Sequence, residues 1–135
     1  MSKSNLEIVQ AAYAALGSGD IDGFVEAMAP DIVWNEAENN TLADGNPYTG
    51  PQAVLEGVFA RLAEQYDDFG VTPDRWVADG DQVVMCGRYN GRAKATGEII
   101  GPQIVHWWTV RGGKLAAFQQ YADTLALARV LGEMK

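Results

Sequence analysis

The sequence predicts an α+β fold in which helices pack on one face of a mostly antiparallel sheet. Apolar residues recur at helical spacing in the first part of the chain and then switch to alternation. The second half consists of alternating apolar runs separated by glycine-containing turns, which is typical of hairpin-connected strands. Helices that are separated from such strands along the chain define the α+β class. With 135 residues, the chain is predicted to form one domain over residues 1–135.

The first two helices are delimited by residues with capping chemistry. Ser4 and Glu7 have the spacing of a capping box, in which each side chain satisfies a backbone N–H group of the other residue. An apolar residue then recurs every three or four positions until Gly17. Asp20 is placed to cap a second helix, and Pro30 is expected to end that helix.

The first strand and the third helix come next. The sequence alternates with a period of two and brings Ile32, Trp34 and Glu36 to one face of the predicted strand. Asn, Asp, Gly and Pro are frequent over residues 39–50, which indicates a loop. Pro51 suits the first turn of a helix, because a backbone N–H has no helical partner there.

The second half of the chain predicts the rest of the sheet and a last helix. Strand-like runs cover residues 71–78, 82–90, 99–110 and 115–122. Asp123 then opens a terminal helix. Three helices from the N-terminal half, packed on one face of a curved sheet, leave a pocket between the two layers. Such a pocket is the first place to expect a functional site.

Composition excludes several classes of partner and site. Ten basic residues against eighteen acidic ones give a net charge of −8, which disfavours nucleic acid and anionic membrane as partners. No apolar run approaches the ~18 residues of a membrane span, and the N-terminal residues lack the apolar region of a secretory signal. We therefore expect a cytoplasmic protein. One cysteine and one histidine exclude an internal disulfide and the usual zinc sites, so no metal is predicted.

Several stretches resemble a known family. Residues 13–34 read YAALGSGDIDGFVEAMAPDIVW, and VADGD, VHWWTV, GKL and YADT follow at residues 77–81, 105–110, 113–115 and 121–124. In order and spacing these resemble SnoaL-like proteins of the ketosteroid isomerase and nuclear transport factor two-like superfamily. The resemblance implies a cone-shaped sheet around an apolar cavity and homodimers formed across the outer face of the sheet. It does not fix an activity, because the superfamily includes isomerases, cyclases, hydrolases, dehydratases and non-catalytic modules.

The resemblance also implies positions for a site. In ketosteroid isomerases the general base follows the first strand, at the position of Glu36 here. Their oxyanion hole pairs a tyrosine with a protonated aspartate; these match Tyr13 and His106 if the intervening segments are each one residue shorter in this chain. In SnoaL-type cyclases a histidine matches His106, and the acid–base aspartate falls on Gln120. An amide cannot take up a proton at neutral pH, so the chain departs from that cyclase group.

Glu36 and His106 each have a functional and a structural interpretation. If Glu36 faces inward with Trp34, desolvation raises its pKa toward the range of a general base. If the strand instead ends at Asn35, Glu36 is a solvated loop charge. His106 shares a strand face with Trp108, where it is either a hydrogen-bonded core residue or a donor, acid or base in the pocket.

The remaining candidates are ligand-binding residues. Gln120, which shares strand parity with Phe118, either orients a ligand or lies on ordinary sheet surface. Asp123 either binds a ligand or caps the last helix. Adjacent Trp107 and Trp108 must lie on opposite sheet faces, so one of them is expected to meet the cavity.

We predict an enzyme that moves a proton on an apolar carbonyl or hydroxylated compound without a cofactor. Glu36 is the predicted base, and His106 and Tyr13 are predicted to polarise the substrate oxygen with help from Gln120. The predicted ligand contacts are Trp34, Trp108, Phe118, Gln120 and Asp123. Two alternatives remain open: a domain that binds a small apolar molecule without chemistry, and a dimeric interaction module.

Overall fold

The computed structural model describes residues 3–133, which form helices packed against a seven-stranded sheet. The helices are α1 (Asn5–Gly17), α2 (Ile21–Ala27), α3 (Pro51–Val54), α4 (Ala60–Gln65) and α5 (Thr124–Val130). The strands are β1 (Met28–Asn35), β2 (Tyr48–Thr49), β3 (Tyr66–Asp79), β4 (Gln82–Ala93), β5 (Ile99–Ile100), β6 (Gln103–Arg111) and β7 (Lys114–Ala122). A π-helical segment (Leu55–Phe59) joins α3 to α4, and a 3₁₀ turn (Thr41–Gly45) precedes β2. The predicted α+β class is confirmed.

The predicted helix starts are confirmed, but one predicted end is wrong. Ser4 and Glu7 form the capping box, with both hydrogen bonds at 3.1 Å, and the carboxylate of Asp20 accepts the Gly23 N–H at 2.9 Å. Pro30 does not end α2; it lies inside β1. The pairing of β1 with β7 is irregular between Met28 and Val33, so the strand tolerates a residue without an N–H at this point.

The sheet has the order β2-β1-β7-β6-β4-β3, with β5 added beside β4. Every pairing is antiparallel except that of β1 with β7, which is parallel. The sheet is strongly curved but does not close into a barrel, which confirms the predicted cone. The helices cover its concave face, and the pocket lies between the two layers.

Two strand boundaries differ from the sequence prediction. The third strand begins at Tyr66 rather than at residue 71, because Tyr66 already pairs with Ala93 of β4. Asp68, with a φ of 54°, interrupts that pairing and hides the alternation in the sequence. The predicted run over residues 99–110 is two strands, β5 and β6, with Pro102 between them.

The two faces of the sheet differ sharply in exposure. Trp108 is 2% exposed on the concave face, whereas its neighbour Trp107 is 45% exposed on the outer face. Tyr121 and Val77 are exposed as well. The helices within residues 3–133 are all too short or too polar to span a membrane.

Asp123 caps α5, because its carboxylate accepts the Ala126 N–H at 3.1 Å. Capping was one of the two roles that the sequence predicted for this residue. We predict that Asp123→Ala lowers the free energy of unfolding by about 1 kcal/mol, the usual cost of losing such a cap. Asp123→Asn keeps a capping oxygen and should fall within a few tenths of a kcal/mol of the parent. Urea denaturation of the three proteins tests this, and an equal loss in both variants would contradict the capping role.

Candidate functional site

The site is a narrow, largely apolar cavity between the concave face of the sheet and the helices. The cavity has a volume of about 50 Å³. A ligand in this cavity must therefore be slim, or side chains must move to admit it. The lining residues are Tyr13, Leu16, Phe24, Trp34, Glu36, Asn40, Val58, Phe59, Leu62, Tyr66, Phe69, Val71, Tyr89, His106, Trp108, Phe118, Gln120 and Leu127.

An aromatic wall forms one side of the cavity. The rings of Trp34 and Phe118, which face each other across the parallel β1–β7 pair, have centroids 3.9 Å apart. Trp108 meets the Trp34 ring edge to face at 5.6 Å. Strand alternation places all three on the concave face, as the sequence predicted. These rings make the cavity a medium of low polarity, which strengthens any electrostatic interaction inside it.

Glu36 is buried in the cavity although β1 ends one residue before it. Glu36 is only 3% exposed, and the indole N–H of Trp34 donates to its Oε2 at 2.9 Å. The Asn46 side chain holds the Glu36 backbone on both sides: its Oδ1 accepts the Glu36 N–H at 3.0 Å and its Nδ2 donates to the Glu36 carbonyl at 2.8 Å. Asn46 thus takes over the role that a neighbouring strand would have.

The second oxygen of the Glu36 carboxyl group reaches the cavity. Oε1 has no hydrogen-bond partner within residues 3–133. Every fully buried side-chain oxygen in that range does have a partner, so Oε1 is not fully buried and must face the cavity. Burial raises the pKa of Glu36 from 4.5 to about 7, although the Trp34 N–H and the charge of Arg61 oppose the rise. Near neutral pH the group can therefore take up a proton or release one.

His106 lies at the centre of the polar part of the cavity. It is 5% exposed, and both of its ring nitrogens are occupied: Nδ1 lies 2.5 Å from the Tyr13 hydroxyl and Nε2 lies 2.8 Å from the Tyr89 hydroxyl. Burial lowers its pKa to about 3, so the ring is neutral at physiological pH. Both ring nitrogens of His106 therefore hold the two tyrosines, which agrees with the hydrogen-bonded interpretation of this residue.

Tyr13 and Gln120 continue the hydrogen bonds on either side of the histidine. The indole N–H of Trp108 donates to the Tyr13 oxygen at 2.9 Å, and burial raises the pKa of Tyr13 well above its usual value. The Gln120 amide donates to the Tyr89 oxygen through Nε2. Its Oε1 accepts from the Ala37 N–H at 3.0 Å and from the Asn40 side chain at 2.9 Å.

Sequence reasoning missed three residues that hydrogen-bond the polar groups of the site. Tyr89 could have been found, because it shares inward parity with Val83 and Met85 along β4, but no resemblance pointed to it. Asn40 and Asn46 lie in the loop after β1, where no periodicity indicates which side chains turn inward. Asp123 lies outside the lining of this cavity, to which α5 contributes Leu127.

The fold and this cavity define a class of protein, and comparison with known proteins agrees. Residues 9–118 match the family model of the SnoaL-like domain. The chain belongs to that family. No curated protein of similar sequence was found.

Solved structures share the fold over nearly the whole chain. An NTF2-like protein from Burkholderia thailandensis E264 is 31% identical, with a TM-score of 0.90, over 96% of this chain and 98% of its own. TerC, crystallised with polyporic acid, is 27% identical, with a TM-score of 0.83, over 95% and 98% of the two chains. A protein from Jannaschia sp. CCS1 that has been called a SnoaL-like polyketide cyclase is 19% identical, with a TM-score of 0.82, over 100% and 99%.

The raised pKa of Glu36 predicts a pH-dependent gain in stability when this residue is replaced. An acid whose pKa is higher in the folded state destabilises the fold above that pKa, because the unfolded chain then releases the proton more readily. We expect Glu36→Gln to raise the free energy of unfolding by up to about 3 kcal/mol at pH 8 and by much less at pH 5. Urea denaturation at both pH values measures the change.

The matched control for that prediction is Glu38→Gln, two residues away and exposed. It should leave stability within about 0.5 kcal/mol at both pH values. The low pKa of His106 has the opposite effect, because it lowers the free energy of unfolding as the pH falls from 6.5 to about 3. All of these variants retain His106, so its contribution cancels in the difference between variant and parent. An equal gain from Glu36→Gln at pH 5 and pH 8 would contradict a raised pKa.

Proposed function

We propose that the protein is an enzyme that moves a proton on a small apolar carbonyl compound, with Glu36 as the base. The observation that carries this proposal is a buried carboxyl group with one oxygen free in an apolar cavity and a pKa raised to about 7. A base with a pKa near the working pH combines a sufficient ionised fraction with a strong drive to take up a proton.

In the proposed reaction, ionised Glu36 removes a proton from the carbon next to a carbonyl group. The C–H electron pair forms a C=C bond, and the carbonyl π electrons move to the oxygen, which becomes an enolate. Protonated Glu36 then returns the proton to the same carbon or to a conjugated one. Hydrogen-bond donors fixed before the reaction stabilise the enolate at little reorganisation cost, and the pair of tyrosine hydroxyls held by His106 can supply a donor of that kind.

Two comparisons support a small organic ligand. TerC was crystallised with polyporic acid, and the Jannaschia protein has been called a polyketide cyclase. At 27% and 19% identity these likenesses show the class of fold and leave the substrate open. The aromatic wall and the narrow cavity of this chain favour a flat, slim molecule.

Deuterium exchange tests the proposal without knowledge of the natural substrate. Incubating the protein in D₂O with a panel of small cyclic ketones and enones, and following loss of the α-proton signal by NMR, detects proton transfer directly. We expect Glu36→Gln to slow exchange at least about 100-fold, the usual contribution of a positioned base. The rate of the parent protein should rise with pH through about 7, where Glu36 ionises.

The control for the exchange assay is again Glu38→Gln, which should exchange at the parent rate because its side chain lies outside the cavity lining. Folding of each variant is checked by circular dichroism. Exchange that survives in folded Glu36→Gln protein would show that Glu36 is not the base.

A non-catalytic binding domain is the alternative function. Gln120, in place of the aspartate of SnoaL-type cyclases, favours it, because an amide offers hydrogen bonds but no proton transfer at neutral pH. The two functions differ in one observable: a binding domain returns its ligand undeuterated after long incubation in D₂O, whereas the proposed enzyme returns it deuterated.

We also propose that the chain forms a homodimer across the outer face of the sheet. Support comes from the exposed apolar side chains of Val77, Trp107 and Tyr121, because monomeric proteins rarely expose large apolar side chains on one face. We predict that Trp107→Glu converts a dimer to a monomer in sedimentation analysis. Leu125→Glu, which charges an exposed apolar position on α5, should leave the assembly unchanged. A parent protein that is monomeric at all concentrations would contradict the proposal.

A further inference from the structure

The direction of each hydrogen bond at one end of the cavity network follows from backbone N–H groups, because these groups can only donate. The Leu42 N–H donates to Asn40 Oδ1 at 3.0 Å, so the Asn40 amide nitrogen is the atom that faces Gln120. Gln120 Oε1 accepts from that nitrogen and from the Ala37 N–H, so its own amide nitrogen must face Tyr89. A backbone N–H can only donate, and the chain of bonds therefore leaves no freedom to flip either amide.

The other end of the network is fixed by Trp108. An indole N–H is a donor without an acceptor, so the bond of 2.9 Å from Trp108 Nε1 runs into the Tyr13 oxygen. Donors thus enter the network from both ends, through Trp108 at Tyr13 and through Gln120 at Tyr89.

Between those ends, the three linked side chains carry more hydrogen-bonding protons than there are hydrogen bonds between them. Tyr13, neutral His106 and Tyr89 carry one hydrogen-bonding proton each, but only two links join them, one at each ring nitrogen. One of the two phenolic protons is therefore left over in either tautomer of the imidazole. Within residues 3–133, no acceptor other than His106 lies within hydrogen-bond distance of either hydroxyl.

The tautomer of the imidazole decides which hydroxyl carries the extra proton. Gln120 links Tyr89 to the Ala37 N–H, next to the proposed base Glu36. The Tyr13 ring instead packs against Trp76 and Trp108. A donor for a substrate oxygen beside Glu36 therefore fits Tyr89, which requires Tyr13 to donate to Nδ1 and an Nε2–H group to donate to Tyr89. The Tyr89 oxygen then accepts two hydrogen bonds, from His106 and Gln120, and its own O–H is free.

We propose that Tyr89 directs its hydroxyl proton into the cavity, and that the ligand group bound there is an oxygen acceptor, a carbonyl oxygen or the enolate formed from it. This inference rests on the proposed function and names the group that touches the substrate oxygen. His106, Gln120 and Tyr13 are then positioning residues for Tyr89. A ligand group that presents only donors gains no hydrogen bond at Tyr89.

The protonation state of the imidazole tests this assignment without any ligand. His106 is the lone histidine, so uniformly ¹⁵N-labelled protein gives a single pair of imidazole nitrogen signals. We expect the long-range ¹H–¹⁵N spectrum at pH 7 to show a protonated Nε2 and an unprotonated Nδ1. A proton on Nδ1 would overturn the assignment, because the spare hydroxyl proton would then belong to Tyr13.

A pair of matched probes tests the ligand class. Acetophenone and α-methylstyrene have nearly the same shape, but the first has a carbonyl oxygen where the second has a methylene carbon. We define the preference for acetophenone as the ratio of the two dissociation constants. A variant that damages the cavity in general weakens the binding of both probes alike, so this effect cancels in the ratio. We expect Tyr89→Phe to reduce this preference about tenfold, because the carbonyl oxygen then lies buried without a donor.

Tyr48→Phe is the matched control, since Tyr48 is a buried tyrosine outside the cavity lining, whose hydroxyl donates to the Leu42 carbonyl. It should retain the preference of the parent within about twofold, because the hydrogen bonds of Tyr89 are unchanged. A preference that Tyr89→Phe leaves unchanged would overturn the proposal. If the parent protein binds neither probe nor any ketone of the panel, the proposed function fails, whereas the ¹⁵N spectrum still decides the direction of the network. Thermal denaturation of each variant shows whether it is folded in these assays.

Discussion

A neutral imidazole held between two tyrosine hydroxyls occupies the polar centre of this cone. Burying His106 removes its hydration, and that loss is offset only if both ring nitrogens find partners. Tyr13 comes from α1 and Tyr89 from β4, so the two hydrogen bonds also fix the first helix against the middle of the sheet. Within residues 3–133, every fully buried side-chain nitrogen and oxygen has a hydrogen-bond partner. Removal of any one partner would leave others unpaired in a medium of low polarity.

Glu36 follows a different logic, because its carboxyl group is only partly satisfied. One oxygen accepts the Trp34 N–H, and the other has no hydrogen-bond partner in the part of the chain that the structure describes. The fold compensates at the backbone, where Asn46 binds the Glu36 N–H and carbonyl and keeps the residue inside the cavity after β1 has ended. A carboxyl group that is held in place by its backbone and poorly solvated at its side chain lowers stability. It also gains basicity near neutral pH, which is the usual exchange between stability and activity at a functional site.

The sequence predicted the residues that follow strand alternation and failed where local structure breaks it. Parity brought Trp34 to the face of Glu36 and required one of Trp107 and Trp108 to face inward without deciding which, and the resemblance added roles for Glu36 and His106. The contribution of Asn46 lies in a loop whose path depends on tertiary contacts, which no local pattern encodes. The burial of Glu36 despite the end of β1 at Asn35 shows the same limit: the two interpretations that the sequence offered were not exclusive, because a loop can bury a charge as well as a strand can.

Gln120 shows how the electrostatics of the cavity depend on one residue. It lies opposite His106 across the β6–β7 pair, and both ends of its amide are engaged. An aspartate at this position would add a second carboxyl group to an apolar cavity that already contains Glu36, and two such groups would raise the pKa of one another. A neutral amide avoids that coupling and leaves Glu36 as the single carboxyl group among the described residues that line the cavity. It also donates to Tyr89, which an ionised aspartate could not do. In the proposed mechanism, a glutamine at the position of the cyclase aspartate therefore separates the two tasks of the cavity, since proton transfer falls to Glu36 alone and stabilisation of the substrate oxygen falls to Tyr89.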